Sequence, residues 1–160
     1  TLSEHVGLNQ NAELTGVARI QFSDLSLAFD IDGNAGQAYR LYQAAFDRTP
    51  DPEGLGYWIS ALDDKNGDLT WVAHNFILSN EFRATYGDPS TVTNDEFLSL
   101  IYQNVLNRAP DGDGYKYWID SLNEGFARES LLASFSESIE NQQKVAADVS
   151  AGIEFVPWMA

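Results

Sequence analysis

The chain lacks cysteine and is poor in histidine and in basic residues. The absence of cysteine excludes structural disulfides, thiolate zinc sites and cysteine nucleophiles. The two histidines, His5 and His74, are placed so far apart that neither a Ser-His-Asp triad nor a histidine metal cluster is expected. The sequence also contains no phosphate-binding glycine loop, no HExxH motif and no GxSxG motif. We therefore do not expect an enzyme.

The shortage of basic residues leaves the chain strongly acidic. Nine Lys and Arg residues stand against 24 Asp and Glu residues, which gives a formal net charge of -15. Such a surface repels the phosphates of nucleic acids, so nucleic acid is not an expected partner. No apolar run is long enough to span a membrane, and membrane insertion is not expected either. The acidity fits simple solubility, and it fits equally well cation binding, usually of calcium, or a position outside a cell.

The combination of acidity, absent cysteine and many Asp, Asn and Gly residues fits secreted bacterial proteins, although many cytosolic proteins also lack cysteine. The chain starts without a methionine, and we expect it to be a segment of a larger protein. We therefore predict an extracellular or cell-surface location.

The most informative feature that the chain does contain is an internal repeat. Residues 41–62, LYQAAFDRTPDPEGLGYWISAL, recur 60 residues later as residues 101–122, IYQNVLNRAPDGDGYKYWIDSL, without a gap. The Arg-x-Pro-Asp and Tyr-Trp-Ile groups are identical in the two segments. This agreement indicates a tandem duplication of one unit.

Apolar residues in the repeat follow the period of an α-helix. Ala38, Leu41, Tyr42 and Ala45 lie at i, i+3, i+4 and i+7, which places them on one face of an amphipathic helix. Pro50 is expected to end this helix, because the residue before a proline is disfavoured in helical geometry. Similar patterns predict three to four helices in each copy.

A β-hairpin is predicted in front of the helices. Residues 17–22 and 25–31 alternate between apolar and polar side chains, with Ser23-Asp24 as the turn between them. The expected fold is therefore mainly α, a tandem-duplicated helical unit with a short N-terminal β-hairpin. Its regions are an N-terminal extension at 1–34, a helical repeat domain at 35–148 with copies at about 35–88 and 94–148, and a C-terminal tail at 149–160.

Three positions of the repeat have predicted structural roles in both copies. They are Asp51 and Asp111, Arg48 and Arg108, and Trp58 and Trp118. The aspartates are placed to cap the helix that follows, and the arginines to pair with those aspartates or with neighbouring acids. The tryptophans lie in register with apolar residues and are expected to pack in the core.

Three acidic loops are candidates for calcium binding, because calcium takes several oxygen ligands from flexible acidic loops. The loops are Asp30/Asp32/Asn34, Asp63/Asp64/Asn66/Asp68 and Asp111/Asp113. None of them fits the twelve-residue helix–loop–helix calcium pattern. Ordinary capped turns are the alternative explanation for each loop, so calcium is a candidate cofactor rather than an established one.

Tyr57 and Tyr117 are the candidate ligand-binding residues. Each lies one position away from the apolar face of its helix and is expected to reach the surface. Sugars stack on exposed aromatic rings, so these tyrosines suggest carbohydrate binding. A glycan-acting hydrolase is the third hypothesis, but it needs a carboxyl kept protonated by burial, and no acid stands inside an apolar run.

The motif of the first copy resembles the bacterial Domain of Unknown Function 4214 family. The matching residues are Leu41-Tyr42, Phe46, Arg48, Pro50-Asp51, Gly54-Leu55, Tyr57-Trp58, Asn75-Phe76 and Ser79-Asn80-Glu81-Phe82. The second copy departs from the motif at Tyr115 and Asn141. The resemblance extends over about residues 16–148, where the stretch from Gly16 to Asp24 resembles the strand pair that often precedes such domains.

This resemblance implies a helical domain of a large secreted bacterial protein, such as a repeat-in-toxin adhesin, a surface-layer protein or an extracellular enzyme. The helical pattern also resembles phycobilisome linker domains, which suggests a scaffold. We expect a non-enzymatic binding or assembly module whose partners are other domains of the same protein, another protein or an extracellular glycan. The alternative is a calcium-dependent carbohydrate-binding domain.

Overall fold

Capping residues set the starts of most helices. The computed structural model describes residues 16–158, and within them it contains eight helices. Their bounds are α1 Asn34–Phe46, α2 Pro52–Asp64, α3 Leu69–Ile77, α4 Asn80–Tyr86, α5 Asn94–Leu106, α6 Gly112–Asn123, α7 Arg128–Ser136 and α8 Ile139–Val149. Six of the eight follow an Asp, Ser or Thr whose side chain accepts a hydrogen bond from a free N–H of the first turn. The prediction of a mainly helical fold is confirmed.

Helices α1 and α5 end earlier than the sequence predicts. The residue after α1 is Asp47, and the residue after α5 is Asn107; both adopt the left-handed conformation, with φ of 48° and 53°. Aspartate and asparagine tolerate this conformation better than other side chains, and it stops the helix. Helix α1 therefore ends at Phe46, four residues before Pro50, so the proline is not what stops it.

The predicted N-terminal hairpin is confirmed, and it forms part of a larger sheet. Strand β1 spans Arg19–Gln21, β2 spans Ser26–Ala28, and a third strand, β3, spans Ile153–Phe155. All pairings are antiparallel, in the order β1-β2-β3. The N-terminal extension and the C-terminal tail, predicted as separate regions, thus contribute strands to one sheet.

One face of the sheet packs against the helices. Ser26 and Phe155 are cross-strand neighbours on this face, and both are buried. On β1, the side chain of Gln21 belongs to the same row but is exposed. The sheet therefore covers the helices with β2 and β3, while β1 projects beyond them.

Helix α1 lies at the centre of the molecule. It packs against α2, α3, α4, α5, α7, α8 and β3, whereas α5, its counterpart in the second copy, packs against α1, α6, α7 and α8. Both copies contribute side chains to one hydrophobic core. The two copies share a core but occupy different environments within it. Their origin by duplication stays a prediction.

A buried ion pair joins the two copies. Arg40 of α1 is almost fully buried, and its Nε and Nη2 each donate to a carboxylate oxygen of Glu137 at 2.7 Å. Its Nη1 donates to the carbonyl of Ile31, also at 2.7 Å. In the other copy Leu100 corresponds to Arg40, at the offset of 60 residues. Leu78 corresponds to Glu137, because the offset is 59 residues in this part of the repeat, where Ser138 matches Ser79. This pair is therefore a feature of the assembled fold rather than of the repeat.

In the described part of the chain, no helix is long and apolar enough to cross a membrane.

Candidate functional site

The main surface depression near the predicted ligand-binding residues lies between the sheet and α2. We call it the α2 groove. It encloses about 340 Å³ and is lined by Arg19, Ile20, Gln21, Ser26, Gly56, Ile59, Ser60, Asp63, Phe155, Pro157 and Trp158. This volume is within the range of sites that bind small molecules. The groove exists because β1 projects beyond α2 and leaves a gap between its inner face and the helix.

Gly56 sets the distance between the sheet and α2. A Cβ atom at this position would stand only 1.7 Å from the carbonyl oxygen of Val156. The backbone of Val156 also forms a hydrogen bond with α2, because its N–H donates to the carbonyl of Pro52 at 2.9 Å. Only a residue without a side chain allows the strand backbone to lie directly on the helix. Gly56 is thus the residue that permits the groove to form.

One end of the α2 groove is closed by a polar cluster around Arg19. Its guanidinium donates to both carboxylate oxygens of Asp30, at 3.1 and 2.9 Å, and to the carboxylate of Asp63. Asn34 donates from its side-chain amide to the same Asp63 carboxylate at 2.7 Å. Partial burial raises the pKa of Asp63, but the hydrogen bonds from Arg19 and Asn34 outweigh it and lower the pKa overall. Asp63 is therefore held in its charged form.

The other end of the α2 groove is aromatic. Trp158 lines the groove and is 55% exposed, and Tyr57 packs against it edge to face with ring centroids 5.1 Å apart. Tyr57 also packs edge to face on Trp58 at 4.7 Å, and Trp58 in turn contacts the core residue Phe76. The exposed ring of Trp158 is in this way supported from the core outwards. Tyr57 acts here as its support.

The counterpart of this surface in the second copy carries no strand. Lys116 occupies the position of Gly56, and it pairs with Asp120 at 2.7 Å. The side chain of Lys116 would occupy the space that a strand backbone needs, so a strand cannot pack on this helix as one does at Gly56. Among the described residues, the aromatic ring that packs on Tyr117 is that of Trp118, and Tyr117 is 64% exposed, against 38% for Tyr57. The two predicted ligand-binding tyrosines thus have unequal surroundings, and it is Tyr57 that contacts Trp158 of the α2 groove.

The predicted calcium ligands do not converge on one site. Asp30 and Asp63 do approach each other, but the guanidinium of Arg19 lies between them. Asp32 lies on another surface, in a depression shared with α8, and Asp113 is exposed in the first turn of α6. Nowhere in residues 16–158 do three His, Asp or Glu side chains meet so as to hold a metal ion. Calcium binding remains a prediction, and this geometry does not favour it.

The two aspartates cap their helices, whereas the two tryptophans, expected in the core, are partly buried and pack against it. Asp51 accepts from the Gly54 N–H at 2.7 Å, and Asp111 from the Gly114 N–H at 2.8 Å. Trp58 packs on Phe76, and Trp118 on Phe135, with ring centroids 4.8 and 5.6 Å apart.

The arginines of the repeat link the first and fourth helices of each copy. Arg48 donates to both carboxylate oxygens of Glu81, and Arg108 to both of Glu140, with the shorter bond at 2.7 Å in each pair. Arg108 also donates to Asp111 at 3.0 Å. Arg48 lies 3.6 Å from the carboxylate of Asp51. Each arginine is therefore paired with a nearby aspartate and with a more distant glutamate. We call these two sets of contacts the arginine clasps.

The arginine clasps predict a loss of stability in acid. The hydrogen bonds from Arg108 lower the pKa of Glu140 below its usual value of 4.5, and a hydrogen bond from Tyr42 is the main cause of a lowered pKa at Asp51. A carboxyl with a lowered folded-state pKa contributes stability above its unfolded-state pKa, and this contribution is lost as the pH falls through the folded-state value. We expect the urea concentration at the midpoint of unfolding to decrease when the pH is lowered below about 4.5. The Arg108→Met variant should show a shallower fall, measured by circular dichroism, and an equal fall in both proteins would contradict this role.

Residues that are candidates for catalysis do not form a site in the described part of the chain. His74 is exposed, with Nδ1 3.4 Å from Glu129, and His5 lies outside the described residues. The carboxyls Asp51, Asp63 and Glu140 have lowered pKa values, the opposite of what a general acid needs.

Comparison with known proteins assigns a family to the second half of the chain. Residues 73–145 match the family model described as Domain of unknown function (DUF4214). The chain contains a DUF4214 domain. The DUF4214 match begins within α3 and ends within α8, so it includes nearly all of the second copy of the repeat and leaves the sheet, α1 and α2 outside. No curated protein and no solved structure matches the chain.

The residues of the α2 groove were mostly missed by the sequence analysis. Trp158 lies in the segment predicted only as a C-terminal tail, and Arg19 lies in the predicted hairpin without a predicted functional role. The only signal in the sequence is the difference between Gly56 and Lys116 at equivalent positions of the repeat. A glycine within a helix disfavours the helix, so its presence indicates a close approach of another backbone.

Proposed function

We propose that the chain is a non-enzymatic binding module of a secreted or cell-surface bacterial protein, and that the α2 groove is its binding site. The observation that carries this proposal is the exposed ring of Trp158 at the mouth of the groove, supported by Tyr57. Large aromatic side chains contribute much of the energy of binding sites, and a supported ring loses little conformational freedom on binding. The acidic, cysteine-free composition supports the extracellular setting.

Binding to the surface of the producing bacterium tests this proposal. We expect the fluorescently labelled protein to bind intact cells in a saturable manner. The Trp158→Ala variant should bind at least about tenfold more weakly, the equivalent of about 1.4 kcal/mol, because the exposed ring of the groove is removed. Flow cytometry over a concentration series measures both affinities.

The repeat provides a matched control for this experiment. Tyr117→Ala removes an exposed aromatic ring that does not belong to the α2 groove, and this variant should bind like the unaltered protein. Equal thermal midpoints for the three proteins would establish that the fold is retained. Absence of saturable binding, or equal binding by the Trp158→Ala variant, would refute the proposal. Detection of the native protein only in the cytosol would refute the proposed extracellular location.

A further inference from the structure

The lining of the α2 groove combines one exposed aromatic ring with several polar side chains. Ser60 and Gln21 line the groove, and within the described residues neither side chain makes a hydrogen bond to another protein group. Arg19 and Asp63 are polar groups at the far end. A ligand for such a surface needs an apolar face for Trp158 and several groups that donate and accept hydrogen bonds. Sugar rings have this chemistry, since their C–H faces are apolar and their edges carry hydroxyls.

The shape of the α2 groove agrees with a short stretch of a polymer. The lining residues Gly56 and Asp63 are seven positions apart on α2, which corresponds to about 10 Å along the helix axis. The groove is open along its length, and its floor is closed by the buried side chains of Ile59 and Phe155. A peptide bound in a groove usually inserts side chains into deeper apolar pockets or pairs with a free strand edge. The closed floor disfavours the first of these modes, and β1, the edge strand that lines the groove, is only three residues long and offers little edge for the second. Both features favour a glycan over a peptide.

The charges around the α2 groove select against an anionic ligand. Arg19 is the one basic side chain in the lining, and it is already paired with the two carboxylates of Asp30 and Asp63. This cluster therefore has an excess of negative charge, within a chain of net charge -15. An anionic polysaccharide would be repelled, whereas a neutral one would not.

The position of Arg19 also argues against a calcium ion in the α2 groove. In a calcium-dependent sugar site the metal ion is held by carboxylates and itself contacts the sugar hydroxyls. Here the guanidinium of Arg19 lies between Asp30 and Asp63, and it neutralises the charge that a cation would otherwise neutralise. Four of the five N–H groups of Arg19 donate to these two carboxylates, so at this end of the groove the carboxylates are already paired without a metal ion.

We propose that the α2 groove binds a neutral glycan, that it does so without calcium, and that each chain has one such site. The single site follows from Lys116, which excludes a strand from the equivalent surface of the second copy. This proposal rests on the proposed function, because it names the ligand class of the same groove.

Periodate treatment of the cells separates the two proposals. Periodate cleaves the vicinal diols of glycans and leaves peptide bonds intact, whereas a protease removes surface proteins. We expect the Trp158-dependent binding to fall at least about tenfold after periodate and to survive protease. Binding that persists after periodate and disappears after protease would overturn the glycan assignment and leave the proposed function standing. Absence of any Trp158-dependent binding to untreated cells would overturn both.

Competition with the extracted surface polysaccharides tests whether the bound glycan is neutral and whether its binding needs calcium. The polysaccharides are divided by anion exchange into an unretained neutral fraction and a retained anionic fraction. We expect the neutral fraction to compete with the cells for the protein, equally in EDTA and in calcium chloride, and the anionic fraction not to compete. Competition by the anionic fraction alone, or loss of binding in EDTA, would overturn the assignment. Ser60→Ala and Gln21→Ala should each weaken binding several-fold, while Tyr117→Ala should not change it.

Discussion

The Gly56→Ala variant is expected to lose about 2–3 kcal/mol of stability and to bind cells no better than the Trp158→Ala variant. The added methyl group would stand 1.7 Å from the carbonyl oxygen of Val156, so strand β3 must move away from α2. Alanine is the better helix former by about 1 kcal/mol, so helix propensity alone predicts a change of the opposite sign. Urea unfolding gives the free energy. Because the chain has four tryptophans, the emission of Trp158 is taken as the difference between each protein and its Trp158→Phe variant, and it reports whether the chain after β3 has moved.

The equivalent position of the second copy supplies the control. Lys116→Ala changes an exposed helical residue that no strand approaches, and its effect on the free energy of unfolding should stay within about 0.5 kcal/mol. If Gly56→Ala stabilises the protein, or leaves cell binding intact, then the contact between α2 and the strand does not determine the groove.

The Glu137→Ala variant is expected to lose about 3 kcal/mol of stability. It would leave the guanidinium of Arg40 buried without a carboxylate, and the cost of an uncompensated buried charge exceeds that of most single substitutions. Because the Glu137 side chain is 26% exposed, the expected loss lies at the lower end of the range of losses that follow when one partner of a buried ion pair is removed. Urea denaturation followed by circular dichroism measures this loss.

The repeat again suggests the matched variant. The double variant Arg40→Leu with Glu137→Leu gives this pair the residues found at the corresponding positions, Leu100 and Leu78. It should recover most of the lost stability, because replacing a buried ion pair by apolar residues is often neutral or stabilising. A double variant as unstable as Glu137→Ala alone would show that the pair contributes through its geometry, such as the bond from Arg40 to Ile31, rather than through its charge.

The local parts of the fold could be predicted from the sequence because their causes are local. Asp51 and Asp111 cap helices through hydrogen bonds that reach only three residues along the chain. The hairpin follows from alternation within two short segments. The end of α1 was predicted at the wrong residue, since the left-handed conformation of Asp47 is a weaker signal than the proline that follows.

The candidate site could be predicted only in part. Tyr57 was identified, because its offset from the apolar face of α2 is visible in the helical period. Its partner Trp158 is about a hundred residues away in the chain, and no period relates the two. The calcium hypothesis for Asp30 failed to foresee Arg19, whose guanidinium approaches from a strand that precedes the loop. The composition of a loop shows which groups are present but not which other group will pair with them.

By itself, the sequence determined the helical class, the order of the helices, their caps and the repeated motif, because all of these depend on neighbours along the chain. The tertiary structure decided which of the two copies carries a groove. Strand β3 must approach a helix without a side chain in its way, and Gly56 allows this contact while Lys116 prevents it. The two copies share most of their motif, and the packing of the C-terminal strand on one of them makes their surfaces different.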